Sequence, residues 1–187
     1  MEQNLLNTHI LPVILMLDNS GSMDGQKNIS LNLTVSEMIR NFSKDAPSNI
    51  DVYVSVITLG EKASLHTSFT ASKDFTFDGV TCGGNAYFSR AVDLAISTLV
   101  YSNIMTKTAL SPIIILVSDG FLNEELRNNA IAQFQRLSIG IGIELDSNAL
   151  STFASKESNV FLPQDSSDII KFFELQQFND FNLDNIQ

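Results

Sequence analysis

The 187-residue sequence contains one cysteine, Cys82, and no tryptophan. A lone cysteine excludes an internal disulfide and any cysteine-rich zinc site. Histidine is nearly as scarce, and His9 and His66 lie too far apart in the chain to suggest a histidine-held zinc centre. Basic residues are outnumbered 11 to 21 by acidic ones, for a formal charge of −10. Such a chain lacks the basic surface that displaces counterions from phosphates, which excludes nucleic acid as its main partner. Docking on anionic membranes is excluded on the same ground. Charge of either sign is sparse, at 17% of residues against roughly 25% in an average soluble domain. Long apolar runs are missing too: the run over residues 10–17 is well short of the about 20 residues that span a bilayer, so no membrane insertion is expected. Residues 1–7 carry Glu2 and no Lys or Arg, unlike the positive start of a secretory signal, and a cytoplasmic location is expected.

What is present is a large apolar fraction, 44%, enough to bury the core of one ordinary domain. Its periodicity alternates along the chain. Residues 11–17 (LPVILML) form a nearly unbroken apolar run, as a central strand covered on both faces requires. Leu31, Val35, Met38, Ile39 and Phe42 recur at helical spacing and predict a helix over 26–43, with Asp24 as its N-cap. Val52, Val54, Val56 and Ile57 read as a second strand, and the weaker alternation over 62–69 reads as a short edge strand. Phe88, Ala91, Val92, Ala95, Ile96 and Leu99 mark a second helix.

Residues 113–117 (IIILV) are another central strand. A helix is expected over 123–136 and a strand over 137–143, where Gly140 and Gly142 permit close approach of a helix. Ser147 is expected to cap a short helix reaching Ser155, followed by a strand over 160–162 and a helix over 168–177. Residues 1–9 are then an extension, 10–178 one domain and 179–187 a fraying tail. Three Asn-x-Ser/Thr sequons, at Asn28, Asn32 and Asn41, fall within or beside the first helix and are read as chance. The succession predicts an α/β fold with a doubly wound, mostly parallel sheet.

In such sheets ligands bind beyond the carboxyl ends of the strands, where the strand order reverses. The first central strand ends in Asp18-Asn19-Ser20-Gly21-Ser22, and the other in Ser118-Asp119-Gly120. The loop before the second helix reads Gly83-Gly84-Asn85. Two carboxylates and two or three neutral oxygens therefore converge, a donor set suited to one hard divalent ion such as Mg²⁺, Mn²⁺ or Ca²⁺. Gly21 is expected to let the chain turn so that both serine hydroxyls face inward. So few charges leave the ion electrophilic and open to a carboxylate from outside.

These residues resemble the von Willebrand factor A (VWA) family and its metal-ion-dependent adhesion site. Asp18-x-Ser20-x-Ser22 matches the family's D-x-S-x-S, and Asp119-Gly120 matches its later acidic loop. The stretches LPVILMLDNSGSM, VSVITLG and ILVSDG look most like the bacterial tellurite-resistance TerY-type subgroup. The resemblance covers residues 10 to 175 and implies a Rossmann-like sheet of about six strands with one antiparallel edge strand. It implies a non-enzymatic protein-binding module with metal ligands Asp18, Ser20, Ser22, Asn85 and Asp119. It further implies a partner protein that supplies an Asp or Glu, with kinase- or phosphatase-type partners and a bacterial stress or phage-defence setting. Asn85 stands where the family usually has threonine. It has two readings, metal ligand or cap of the second helix.

Asn19, Met23, Tyr87 and Phe121 adjoin the site loops and are candidates for a partner-binding rim, with core packing as the alternative for Tyr87 and Phe121. No Ser-His-Asp arrangement is evident, and Cys82 reads as an ordinary thiol. Two other functions compete. A Mg²⁺-dependent phosphohydrolase or phosphotransferase would use Asp18 as nucleophile, although Ser20 stands where a second Asp is required and no lysine-bearing phosphate loop is present. A structural subunit with a vestigial metal site is the other.

Overall fold

The computed structural model describes residues 8–122, 124–126 and 129–162. Within them a six-stranded sheet has the order β3-β2-β1-β4-β5-β6. The strands are β1 (His9–Leu17), β2 (Ile50–Thr58), β3 (Ser64–Ala71), β4 (Ile113–Ser118), β5 (Gln135–Gly140) and β6 (Val160–Phe161). All neighbours pair in parallel except β2 and β3. The helices are α1 (Gln26–Asp45), α2 (Phe88–Tyr101) and α3 (Ser147–Phe153). This is the doubly wound sheet with one antiparallel edge strand that the sequence predicts.

Alternation along β1 explains why it is apolar throughout. Leu11, Val13, Leu15 and Leu17 face the layer built on Leu31, Val35, Met38 and Phe42 of α1. Ile14 and Met16 face the layer built on Phe88, Ala91, Val92, Ala95 and Leu99 of α2. A strand with helices on both faces has no polar side, so a period of two disappears from its sequence. On the α2 side Phe88 meets Phe153 of α3 edge-to-face, with ring centroids 5.9 Å apart. Such a pair adds about 0.5–1.5 kcal/mol beyond the area it buries.

Four local expectations are corrected. Residues 129–131 form a short 3-10 turn, and β5 begins at Gln135, so no helix runs over the described part of 123–136. The Arg136 guanidinium donates to the carbonyls of Ile131, Ala132, Phe134 and Phe153. It thereby takes backbone acceptors that a continuing helix needs for itself. The strand expected over 137–143 ends at Gly140. Asp24 accepts from the adjacent Gly25 N–H at 2.8 Å rather than capping α1, whose N-cap is Gly25. The α3 cap is Asp146, one residue before Ser147, and it accepts from Ala149 N. The helix expected over 168–177 lies outside the described residues.

Arg136→Met is expected to lower stability by about 2 kcal/mol, because charge-assisted hydrogen bonds contribute about 1.5–3 kcal/mol and part-buried carbonyls lose their donor. Urea denaturation measures it. A midpoint unchanged from wild type would show that water serves those carbonyls equally well.

Candidate metal centre

Register brings the two carboxylates together. Leu17 of β1 pairs with Val117 of β4, so Asp18, the first residue past β1, lies beside Ser118, the last residue of β4, with Asp119 next in the chain, at the point where strand order reverses. Asp18 is fully buried. Its Oδ1 accepts from Ser20 N at 3.0 Å and its Oδ2 accepts from the Ser118 hydroxyl. That hydroxyl in turn accepts from Gly120 N at 2.9 Å. Burial pushes the Asp18 carboxyl above its ordinary range. The Ser118 and Ser20 hydrogen bonds oppose that rise, and the Asp119 charge adds to it.

Ser20 and Ser22 sit at the start of a 3-10 turn over Gly21–Met23, with their hydroxyl oxygens 3.0 Å apart. Gly21 is not in the left-handed region. The turn needs no glycine there; what Gly21 provides is a bare edge whose N–H reaches Gly84 O at 2.9 Å. Ser22 Oγ lies 3.4 Å from Asp119 Oδ1, which also accepts from Phe121 N at 3.0 Å. Asp119 is as buried as Asp18. Its other oxygen, Oδ2, accepts from Lys27 Nζ at 2.7 Å.

The third loop is tied in through backbone bonds, Gly21 N to Gly84 O and Gly83 N to Asn19 O. Two helix amides hold it from the other side. Asn28 Nδ2 donates to Val80 O and lies 2.8 Å from Cys82 Sγ, while Asn32 exchanges bonds with both backbone groups of Val80. Asn28 and Asn32 thus have a structural use, and the third sequon residue, Asn41, is buried in α1. Burial raises the Cys82 thiol, with the Asn28 contact opposing and the acidic neighbours Asp18, Asp24 and Asp119 adding. It stays a thiol, as the sequence suggests.

Each remaining candidate has a definite place. Asn85 is exposed on this third loop, two residues ahead of Tyr87, the N-cap of α2, so the capping reading of Asn85 is corrected. Met23, expected at the rim, is wholly buried in the α1-side core and has no surface to offer. Asn19 points sideways: its amide nitrogen donates to Thr81 O and its oxygen lies beside Gly60. Tyr87 is half-buried, with the Arg90 guanidinium 4.8 Å from its ring centroid. Phe121 is 53% exposed. His9 and His66 hydrogen-bond to Thr108 O and Gly79 O, apart from the site loops.

Two residues of this arrangement escape the sequence reading. Ser118 is noted in the sequence only as the residue that opens the Ser118-Asp119-Gly120 loop, with no role of its own, and Lys27 is a polar position on α1. Among the described residues no three His, Cys, Asp or Glu side chains gather as a metal cluster. The site is instead two carboxylates with hydroxyls and one ammonium.

An α/β domain with oxygen donors on the loops beyond β1 and β4 is the class that fold and site define. The chain belongs to the von Willebrand factor type A domain family, which it matches over residues 13–177. Solved structures share the fold at low identity. Manganese-loaded TRAP protein of Plasmodium vivax is 16% identical with a TM-score of 0.66, over 90% of this chain and 72% of that one. The vWF domain of the type V pili tip protein Mfa5 from Porphyromonas gingivalis is 14% identical with a TM-score of 0.64, over 89% and 93%. Proximal thread matrix protein 1 of the mussel byssus, solved with zinc in its MIDAS motif, is 16% identical with a TM-score of 0.63. The match to the mussel protein takes in 90% of this chain and 45% of that protein. No curated protein sequence matches. No helix among the described residues is long and apolar enough to cross a membrane.

Proposed function

We propose that the chain is a metal-dependent, non-enzymatic protein-binding module whose partner supplies a carboxylate. The observation that carries this reading is the meeting of Ser20, Ser22 and Asp119 oxygens above Asp18. Adjacent corners of an octahedron with bonds of about 2.0–2.1 Å lie about 3 Å apart by simple geometry. The Ser20 and Ser22 hydroxyl oxygens are 3.0 Å apart, and Ser22 Oγ and Asp119 Oδ1 are 3.4 Å apart. The donors thus fit one hard ion, Mg²⁺ or Mn²⁺, with little relaxation. Ser20, Ser22 and Asp119 would hold it, and Asp18 would support it from beneath, directly or through water. Asn85 is a candidate ligand from the third loop. When bound, the ion supplies a positive pole for a carboxylate.

The zinc in the mussel protein and the manganese in the Plasmodium protein support a divalent ion here. Burial of Asp18, with both of its oxygens engaged, speaks against its use as a nucleophile for phosphate transfer. A TerY-like role in a bacterial stress, tellurite-resistance or phage-defence system, with a kinase- or phosphatase-type partner in the cytoplasm, extends this reading from the resemblance alone.

The test is affinity capture from lysate of the source cell with the intact chain, run in millimolar Mg²⁺ and again in EDTA. A partner retained only with the ion, and lost in Asp119→Ala protein, is the expected result. Equal capture of the same partner in EDTA would favour the structural subunit with a vestigial site.

A further inference from the structure

Lys27 is the cation of the site that belongs to the protein itself. It lies on the first turn of α1, at a position to which the sequence reading assigns no role. Three elements fix its side chain. Its ammonium is 2.7 Å from Asp119 Oδ2 and 5.7 Å from the Phe121 ring centroid. Its stem crosses Gly142 in the loop after β5, where an added Cβ would come within 2.8 Å of Lys27 Cε. Gly142 also has a φ of +99°, a conformation open mainly to glycine. The chain thus leaves a slot for this stem, and the Lys27 side chain stays 23% exposed at the mouth of the site.

Lys27 holds one oxygen of Asp119 and leaves the other to Ser22 and the Phe121 N–H. Asp119 Oδ1 is oriented separately by Phe121 N and Ser22 Oγ, so loss of Lys27 removes a charge without freeing the carboxylate. Resting on the metal-dependent reading above, we propose that Lys27 sets the anion preference of the site, weakening the ion's own binding and strengthening that of the carboxylate that completes it. The physical reason is the charge balance. Two carboxylates and a divalent ion are neutral together; with the ammonium the loaded site carries one net positive charge, which an anionic ligand cancels. Glu61, packed beside Gly84 on the facing loop, is exposed, and its charge is screened by water. An ammonium beside the ion disfavours a cation and favours an anion, so its removal has opposite effects on the two.

The test uses the full chain as wild type, Lys27→Met, Lys27→Gln and Lys27→Arg. Titration calorimetry reads Mn²⁺ affinity. Paramagnetic broadening of the acetate methyl resonance reads carboxylate binding to the Mn²⁺-loaded protein. Both neutral variants are expected to bind Mn²⁺ about tenfold tighter and acetate about tenfold weaker, the scale of one lost charge interaction in a part-buried site. Lys27→Arg is expected to stay within about threefold of wild type on both axes, since the charge persists. A packing defect would weaken both ligands together, and that result overturns the proposal. So does a wild type that binds Mn²⁺ while the neutral variants match it on both axes; the metal reading then stands alone. If neither wild type nor the neutral variants bind Mn²⁺, both readings fall.

Discussion

Asp18→Asn protein is expected to respond more weakly than wild type to divalent metal and yet to unfold at a higher temperature than wild type in EDTA. The two effects share a cause. Asp18 is a fully buried carboxylate, and its pKa is raised chiefly by that burial. A carboxyl with a raised folded pKa holds its proton more tightly folded than unfolded. Its contribution is therefore most favourable below the ordinary carboxylate pKa, falls as pH rises through the folded pKa, and is a standing cost beyond it. Asparagine removes that cost; its oxygen still accepts from Ser20 N, while its amide donates to Ser118 Oγ, a reversal of the native bond in which the Ser118 hydroxyl donates.

A rise in Tm of at least about 2 °C at neutral pH is expected in EDTA, the size of a modest single-site gain in a domain of this length. The gap should narrow as pH falls toward the carboxylate range and wild type takes up its proton. With metal the order reverses. An ion at 100 times its Kd stabilises wild type by about 2.7 kcal/mol, while the variant should lose affinity by at least the about 10–100-fold that removing a supporting group costs. Thermal melts in EDTA and in Mn²⁺ at several pH values read all three. A variant several degrees less stable than wild type in EDTA would mean that Asp18 is needed as a charged acceptor, against this account.

Gly120→Ala carries the largest expected loss of stability. Gly120 has a φ of +85°, and a Cβ there would stand 2.5 Å from the backbone oxygen of Asp146. Neither side yields cheaply. Asp146 N donates to Asp119 O at 2.8 Å, and the Asp146 carboxylate caps α3. The left-handed conformation alone costs an alanine about 1–2 kcal/mol, and the overlap with backbone brings the total to about 3 kcal/mol or more. For a domain of this length that is a fall in Tm of roughly 6–12 °C. Because Asp119 moves with its neighbour, the metal-induced shift in Tm should shrink as well. A fall below about 3 °C would show that the loop after β5 can shift without strain.

Unbroken apolar runs and a regular helical spacing were legible in the sequence. The runs 11–17 and 113–117 match β1 and β4, and the spacing of Leu31, Val35, Met38 and Phe42 places α1. The helix expected over 123–136 was not legible, although its apolar residues are real: Leu126 and Ile131 are buried on the α2 side of the sheet. Burial without regular helix was the outcome because Gln135 and Arg136 are drawn into the ladder with Ile113 and Ile114. Arg136 then takes the carbonyls on either side. Met23 failed as a rim residue for a related reason. Its proximity to Ser22 in sequence said nothing of direction, and the 3-10 turn aims it into the core.

Residue chemistry and spacing were enough to determine an α/β domain and to place Asp18, Ser20 and Ser22 on one short loop, since donors two residues apart cannot be far apart in space. Tertiary structure alone decided what surrounds them. Ser118 reaches Asp18 across 100 positions because of strand register, and Lys27 reaches Asp119 across 92 because the first turn of α1 packs against the loops after β4 and β5. Electrostatic interaction depends on distance and burial, neither of which is written in the order of residues. The sequence therefore showed an acidic chain, and the fold placed a lysine against one of the two acids expected to meet the metal.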